Sequence, residues 1–172
     1  MRSDVGQGSV SASRDWDYET LMEYANGYLA NDRKHVIKFY GSYQVAAEWM
    51  LSANVTIASG TPRECLGLYG TAQNDPSGYG SYYHYCDGQP TRPGDKGRNP
   101  WQENIDLSAE YRPDWAGKKL AFNATVFNIL NQQRANQIDP VYGTTTTVKD
   151  SYQRVISYQT PRYFRFGVTY DF

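Results

Sequence analysis

The chain has 172 residues, a net charge of −1 and a mean hydropathy of −0.72. One domain is expected at this length, and a near-neutral balance excludes a basic nucleic-acid footprint. With 40% apolar and 20% charged residues the chain is not disordered. It holds no apolar run near the 18 residues of a membrane helix, whereas membrane strands alternate and need none. Aromatic residues make up 15%, and two cysteines are too few for a disulfide scaffold.

The first ten residues, MRSDVGQGSV, lack the apolar core of a signal peptide. Alone they predict a cytoplasmic protein; the strands that follow argue otherwise, and Met1 is expected to be a fragment boundary. Residues 20–30 (TLMEYANGYLA) allow a short helix. From residue 35 onward, period-2 alternation dominates, and it predicts five strands near 35–45, 49–59, 103–113, 119–131 and 162–172. In the last of these Phe164, Phe166, Val168, Tyr170 and Phe172 share one face, and Tyr163, Arg165, Gly167, Thr169 and Asp171 share the other. The earlier four repeat the pattern, with Ile37, Phe39 and Tyr43; Trp49, Leu51, Val55 and Ile57; Ile105, Leu107 and Tyr111; and Leu120, Phe122 and Val126 on the apolar side.

Strands of about 10 residues tilted near 45° span an outer-membrane apolar band of about 25 Å. The connections at 46–48 and 114–118 are tight, while those at 60–101 and 131–161 are long, and 2–33 reads as a third long loop. Transmembrane barrels pair short periplasmic turns with long outer loops in this way. Tyr43, Trp49, Tyr111 and Trp115 lie beside the short turns, where an interfacial aromatic girdle belongs. The apolar faces would then touch lipid, with Lys38, Asp106, Glu110, Arg112, Arg165 and Asp171 lining a watery lumen. The alternative is a secreted, soluble β-sandwich binding module with those charges in water and a Tyr/Trp-rich ligand surface. Five strands cannot close a barrel, so the membrane reading makes the chain part of something larger, or one unit of an oligomeric barrel.

At this point the residues resemble a known family. The ending Gly167-Val168-Thr169-Tyr170-Asp171-Phe172 resembles the C-terminal signal of outer-membrane barrels, carried by Gly167, Tyr170 and Phe172. Val126-Phe127-Asn128-Ile129-Leu130-Asn131 is similar to the penultimate strand of TonB-dependent receptors. Leu29-Ala30-Asn31-Asp32-Arg33-Lys34-His35, Tyr40-Gly41-Ser42-Tyr43 and Gly97-Arg98-Asn99-Pro100-Trp101 resemble segments of the Oar-like branch. The resemblance implies an all-β, antiparallel, up-and-down transmembrane barrel segment. It would supply about five C-terminal strands of a larger barrel, which in this family normally has 22. The plug and N-terminal parts are expected to be absent from the chain. The resemblance further implies TonB-dependent uptake across a Gram-negative outer membrane. Outer-membrane lipid and the barrel-assembly machinery would be partners, the TonB complex would act only through the missing plug region, and nucleic acid would not be a partner.

Cys65 and Cys86 share the 60–101 loop. Two free thiols are the default for such a pair; if the loop is extracellular, the oxidising envelope favours a disulfide between them. Tyr79, Tyr82, Tyr83 and Tyr85 in the same loop are candidate ligand contacts, or else pack it against its neighbours. His35 and His84 lack partners at metal spacing, and Asp15-Trp16-Asp17 and Asp95-Lys96-Gly97 are too short for a calcium loop. Asn54-Val55-Thr56 and Asn123-Ala124-Thr125 match the glycosylation pattern by chance inside strands. No catalytic motif is present, so the sequence predicts neither an enzyme nor a resident cofactor or metal.

Overall fold

A computed structural model describes residues 18–144 and 146–172. The 1–10 segment and the Asp15-Trp16-Asp17 run therefore lie outside the described residues. The chain divides into two compact units. One comprises Lys34–Ser59, Trp101–Arg134 and Gln159–Phe172; the other comprises the described residues of Met1–Arg33, Gly60–Pro100 and Ala135–Tyr158. Among the described residues the fold is all-β, almost without helix, and its pairings are antiparallel apart from one two-residue contact. No described helix is long and apolar enough to cross a membrane, which says nothing about strands.

The first unit is an open five-stranded sheet of β1 (Val36–Ala46), β2 (Trp49–Ala58), β6 (Gln102–Tyr111), β7 (Leu120–Phe127) and β11 (Tyr163–Tyr170), in that order. Each strand is antiparallel to its neighbour. The sheet does not close; β1 and β11 are its edges. Register puts Tyr43, Leu51, Ala109, Ala124 and Phe166 in one row across all five strands. Gly41, Ala53, Leu107, Val126 and Phe164 form the next. Because side chains alternate with period 2, this register gathers the apolar positions of all five strands on one face.

Physical punctuation ends the strands. Only Ala47 and Glu48 separate β1 from β2. After β6, Pro113 lacks the N–H needed to extend the ladder, and a 3₁₀ turn over Asp114–Ala116 leads to Gly117 at φ 59°. β7 stops at Phe127, four residues before its expected end at 131, because Asn128 and Asn131 adopt φ 49° and 51°. Asn enters the left-handed region more readily than branched residues, so the Asn-Ile-Leu-Asn run makes a turn, not more strand.

The second unit is built from the segments expected to be long loops. Residues 60–100 carry β3 (Leu66–Gly67), β4 (Tyr85–Cys86) and β5 (Gln89–Pro90). Residues 135–158 carry β8 (Ala135–Ile138), β9 (Val141–Gly143) and β10 (Val155–Tyr158). β4 and β5 form a hairpin on Asp87-Gly88, both at positive φ, as a tight hairpin turn requires. β8 pairs with β10 antiparallel, and β3 meets β9 in parallel. The helix expected over 20–30 is only one turn, α1 (Glu19–Met22), since Glu23 is extended and Tyr24 is left-handed. Leu21, Tyr83 and Tyr85 form this unit's apolar core, with Tyr18 and Tyr69 packed against it.

Candidate functional site

Two places in the molecule carry chemistry: the faces of the five-stranded sheet, and the interior of the second unit. On the sheet's apolar face the large side chains are exposed, Phe39 at 65%, Val168 at 66% and Phe166 at 78%. Burying a Leu, Val or Phe side chain is worth about 1.5–3 kcal/mol, so a face like this calls for an apolar neighbour. At the short-turn end Trp49 stacks on Tyr111 with centroids 4.7 Å apart, and Tyr111 lies 6.4 Å from Phe122. Tyr43 and Trp115 are exposed at the same end.

The opposite face is mostly polar, with Tyr40, Met50 and the stacked Phe127–Tyr163 pair set among its polar residues. Ser42, Ser52, Ser108, Thr125 and Arg165 align across the strands, as do Gln44, Met50, Glu110, Asn123 and Gly167. The Ser108 and Thr125 hydroxyls are 2.9 Å apart, Asn104 donates to Asp106 at 2.9 Å, and Arg165 lies over the Phe127 ring at 4.9 Å. Near the short turns Arg112 binds Glu110 at 2.6 Å and Asp171 at 3.1 Å, while Glu48 accepts from the Asp114 N–H at 2.6 Å. Lys38 is exposed on β1. Of the expected terminal signal, Gly167 pairs with Asn123, Tyr170 pairs with Leu120, and Phe172 is fully exposed beyond β11.

In the second unit, Cys65 and Cys86 form a disulfide, their Cα atoms 5.4 Å apart. Replacing both by Ala is expected to cost that unit about 3 kcal/mol in the chain-entropy model. Thermal unfolding with and without reductant measures it; an unchanged midpoint on reduction would contradict it.

The four candidate tyrosines divide. Tyr79 and Tyr82 are exposed, with Lys149 over the Tyr82 ring at 5.3 Å. Tyr83, at 0% exposure, and Tyr85 are buried in the tyrosine cluster, so no ligand reaches their rings from outside. Tyr85 and Tyr69 both donate to the Glu23 carboxylate, at 3.0 and 2.9 Å. Burial, then the Glu23 carboxylate, pushes the Tyr85 hydroxyl up. Tyr83 donates to Asp75, which also accepts from Ser77 at 2.8 Å and from the Gly80 N–H at 2.6 Å. Burial pushes the Asp75 carboxyl up, but these donors outweigh it and hold the group at about 2. The sequence could not separate these roles, because Tyr-rich loop and Tyr-rich core share one composition. His35 stacks on Trp101 and His84 is buried. No group of three or more His, Cys, Asp or Glu among the described residues is placed to hold a metal.

Sequence reasoning missed Glu64. It lines a cavity of about 350 Å³ within the second unit. Burial pushes its carboxyl from 4.5 to about 7. The folded form thus prefers the proton: its stabilising contribution is complete below the unfolded value of 4.5 and is lost as pH rises through about 7. Glu64→Gln is therefore expected to be more stable than the parent by about 3 kcal/mol at pH 8 and to gain nothing at pH 4. Unfolding midpoints at the two pH values check this; an equal effect at both would contradict it.

Over its whole length the chain is 26% identical to the TonB-dependent transporter Oar of Myxococcus xanthus, and it spans 19% of that protein. No family model matches the chain. No solved structure matches it.

Proposed function

We propose that this chain forms the C-terminal part of an outer-membrane transport barrel of the TonB-dependent receptor kind. The observation that carries the reading is the single continuous, exposed apolar face produced by the register of five strands. Lipid covers that face, and the polar rows face the lumen. Trp49, Tyr111, Phe122, Tyr43 and Trp115 lie at the interface, where amphipathic rings are favoured. Unpaired backbone groups are costly in hydrocarbon, so the open edges β1 and β11 pair with further strands of a larger barrel, 22 in all. The similarity over the whole chain to a TonB-dependent transporter supports this assignment.

In this reading the protein is not an enzyme and carries no cofactor. It contributes the last wall of a pore for energised uptake, and Gly167, Tyr170 and Phe172 present the strand read by the barrel-assembly machinery. The TonB complex acts through the plug region of such a receptor. A soluble β-sandwich module instead needs a second sheet over the apolar face and no detergent for extraction.

Residues 60–101 and 131–161 then face outward, while 46–48 and 114–118 face the periplasm. Trypsin added to intact cells is expected to cut after the exposed Lys96 or Lys149 and to spare Lys118 and Lys119. Cleavage at Lys118–Lys119 with the long segments intact would reverse the orientation. Protein extracted without detergent would overturn the membrane assignment itself.

A further inference from the structure

The 350 Å³ cavity lies within the size range of small-molecule sites. Stretches near residues 30, 62, 97, 138 and 155 of the second unit all contribute to its wall. Its lining mixes the apolar Ile138 and Pro140 with amides such as Gln153. Three charged residues take part: Glu64, Arg63 and Lys96. Arg63 is anchored, its Nε and Nη2 donating to the Lys96 carbonyl at 3.1 and 3.0 Å. Lys96 is exposed. Neither cation pairs with Glu64 among the described residues, and Glu64 is the one carboxyl on the lining.

We propose that this cavity binds a small organic cation, whose ammonium or guanidinium group pairs with the Glu64 carboxylate while Ile138 and Pro140 take its carbon chain. A half-buried carboxylate with no partner is unfavourable, and a cation is the partner that offsets its desolvation. An anion would meet the unpaired carboxylate, and a neutral molecule would leave it unpaired. Arg63 does not take the place of the ligand in this structure: its Nε and Nη2 donate to the Lys96 carbonyl, and it forms no ion pair with Glu64. The proposal does not depend on the membrane assignment, because every wall of the cavity belongs to the second unit.

Ionisation gives the site a signature. Burial holds the empty carboxyl near 7, so its ionised fraction, and with it the affinity for a cation, rises about tenfold from pH 6 to pH 8. The test titrates the full chain with n-butylammonium at both pH values, followed by NMR shifts, with n-butanol and butyrate as neutral and anionic counterparts. Expected are binding of n-butylammonium alone, about tenfold tighter at pH 8, and loss of at least tenfold in affinity, together with the pH dependence, in Glu64→Gln. Near-UV circular dichroism checks that this variant is folded. Glu64→Asp, which keeps the charge, should retain the pH dependence at reduced affinity. No binding, equal binding of n-butanol, or unchanged affinity in folded Glu64→Gln would each overturn the proposal.

Discussion

Val168→Arg is expected to remove most of the protein from the outer membrane, while Thr169→Arg leaves its amount near that of the parent. The two residues are neighbours on β11, yet register places Val168 opposite Phe122 on the apolar face and Thr169 opposite Ala121 on the polar one. An arginine facing the bilayer midplane costs about 2–4 kcal/mol, and a lumen-facing one costs little. Val168 is the sixth of the eight residues of β11, short of its end at Tyr170, so its cost falls in the lower part of that range. The backbone, the position along the strand and the added side chain are nearly the same in both variants. A difference between them therefore reports the face alone. Outer-membrane levels and heat-modifiable gel mobility measure it, and equal tolerance would mean that the faces are not lipid and lumen.

Asn128→Ala is expected to destabilise the sheet by about 3 kcal/mol, a large effect for one exchange of a small polar side chain. Asn128 is only 2% exposed and holds the turn after β7 at φ 49°. Its amide donates to the carbonyls of Gln132 and Thr160, both at 2.8 Å, and its carbonyl accepts from the Gln132 N–H at 3.1 Å. Its own N–H reaches Asp106 at 2.9 Å. Truncation takes the side-chain partner from three backbone groups, two on Gln132 and one on Thr160, and puts an alanine where L-residues are strained. Unfolding midpoints in denaturant measure the loss; a change below about 0.5 kcal/mol would assign the turn to other contacts.

The sheet was legible because alternation persists wherever a strand has two unlike faces. The residues Phe164, Phe166 and Val168 announced their shared side without any partner strand in view. Strand ends were less legible. Val126-Phe127-Asn128-Ile129 reads as continued strand by hydropathy, and the turn there rests on left-handed Asn128 and Asn131 together with the bonds Asn128 makes to Gln132 and Thr160. The second unit was illegible for a different reason. Its strands are two to four residues long, too short for any period, and its order comes from a disulfide, an Asp-Gly hairpin and carboxylates caged by tyrosines and backbone N–H groups. Composition marked Tyr79, Tyr82, Tyr83 and Tyr85 alike, and burial separates them. Glu64 carried no signal in the sequence, since a carboxyl next to Arg63 reads as an ordinary surface pair until the structure turns the guanidinium elsewhere.

The membrane reading requires hydrocarbon over the apolar face of the five strands. It is tested most directly by tryptophans placed on the two faces of β11 and read in bilayers with brominated acyl chains. Phe166→Trp is expected to add fluorescence that brominated lipid strongly quenches, and Arg165→Trp, one residue away on the polar face, is expected to add fluorescence that it quenches weakly. Equal quenching of the two, or a chain that does not enter the bilayer, would contradict the account.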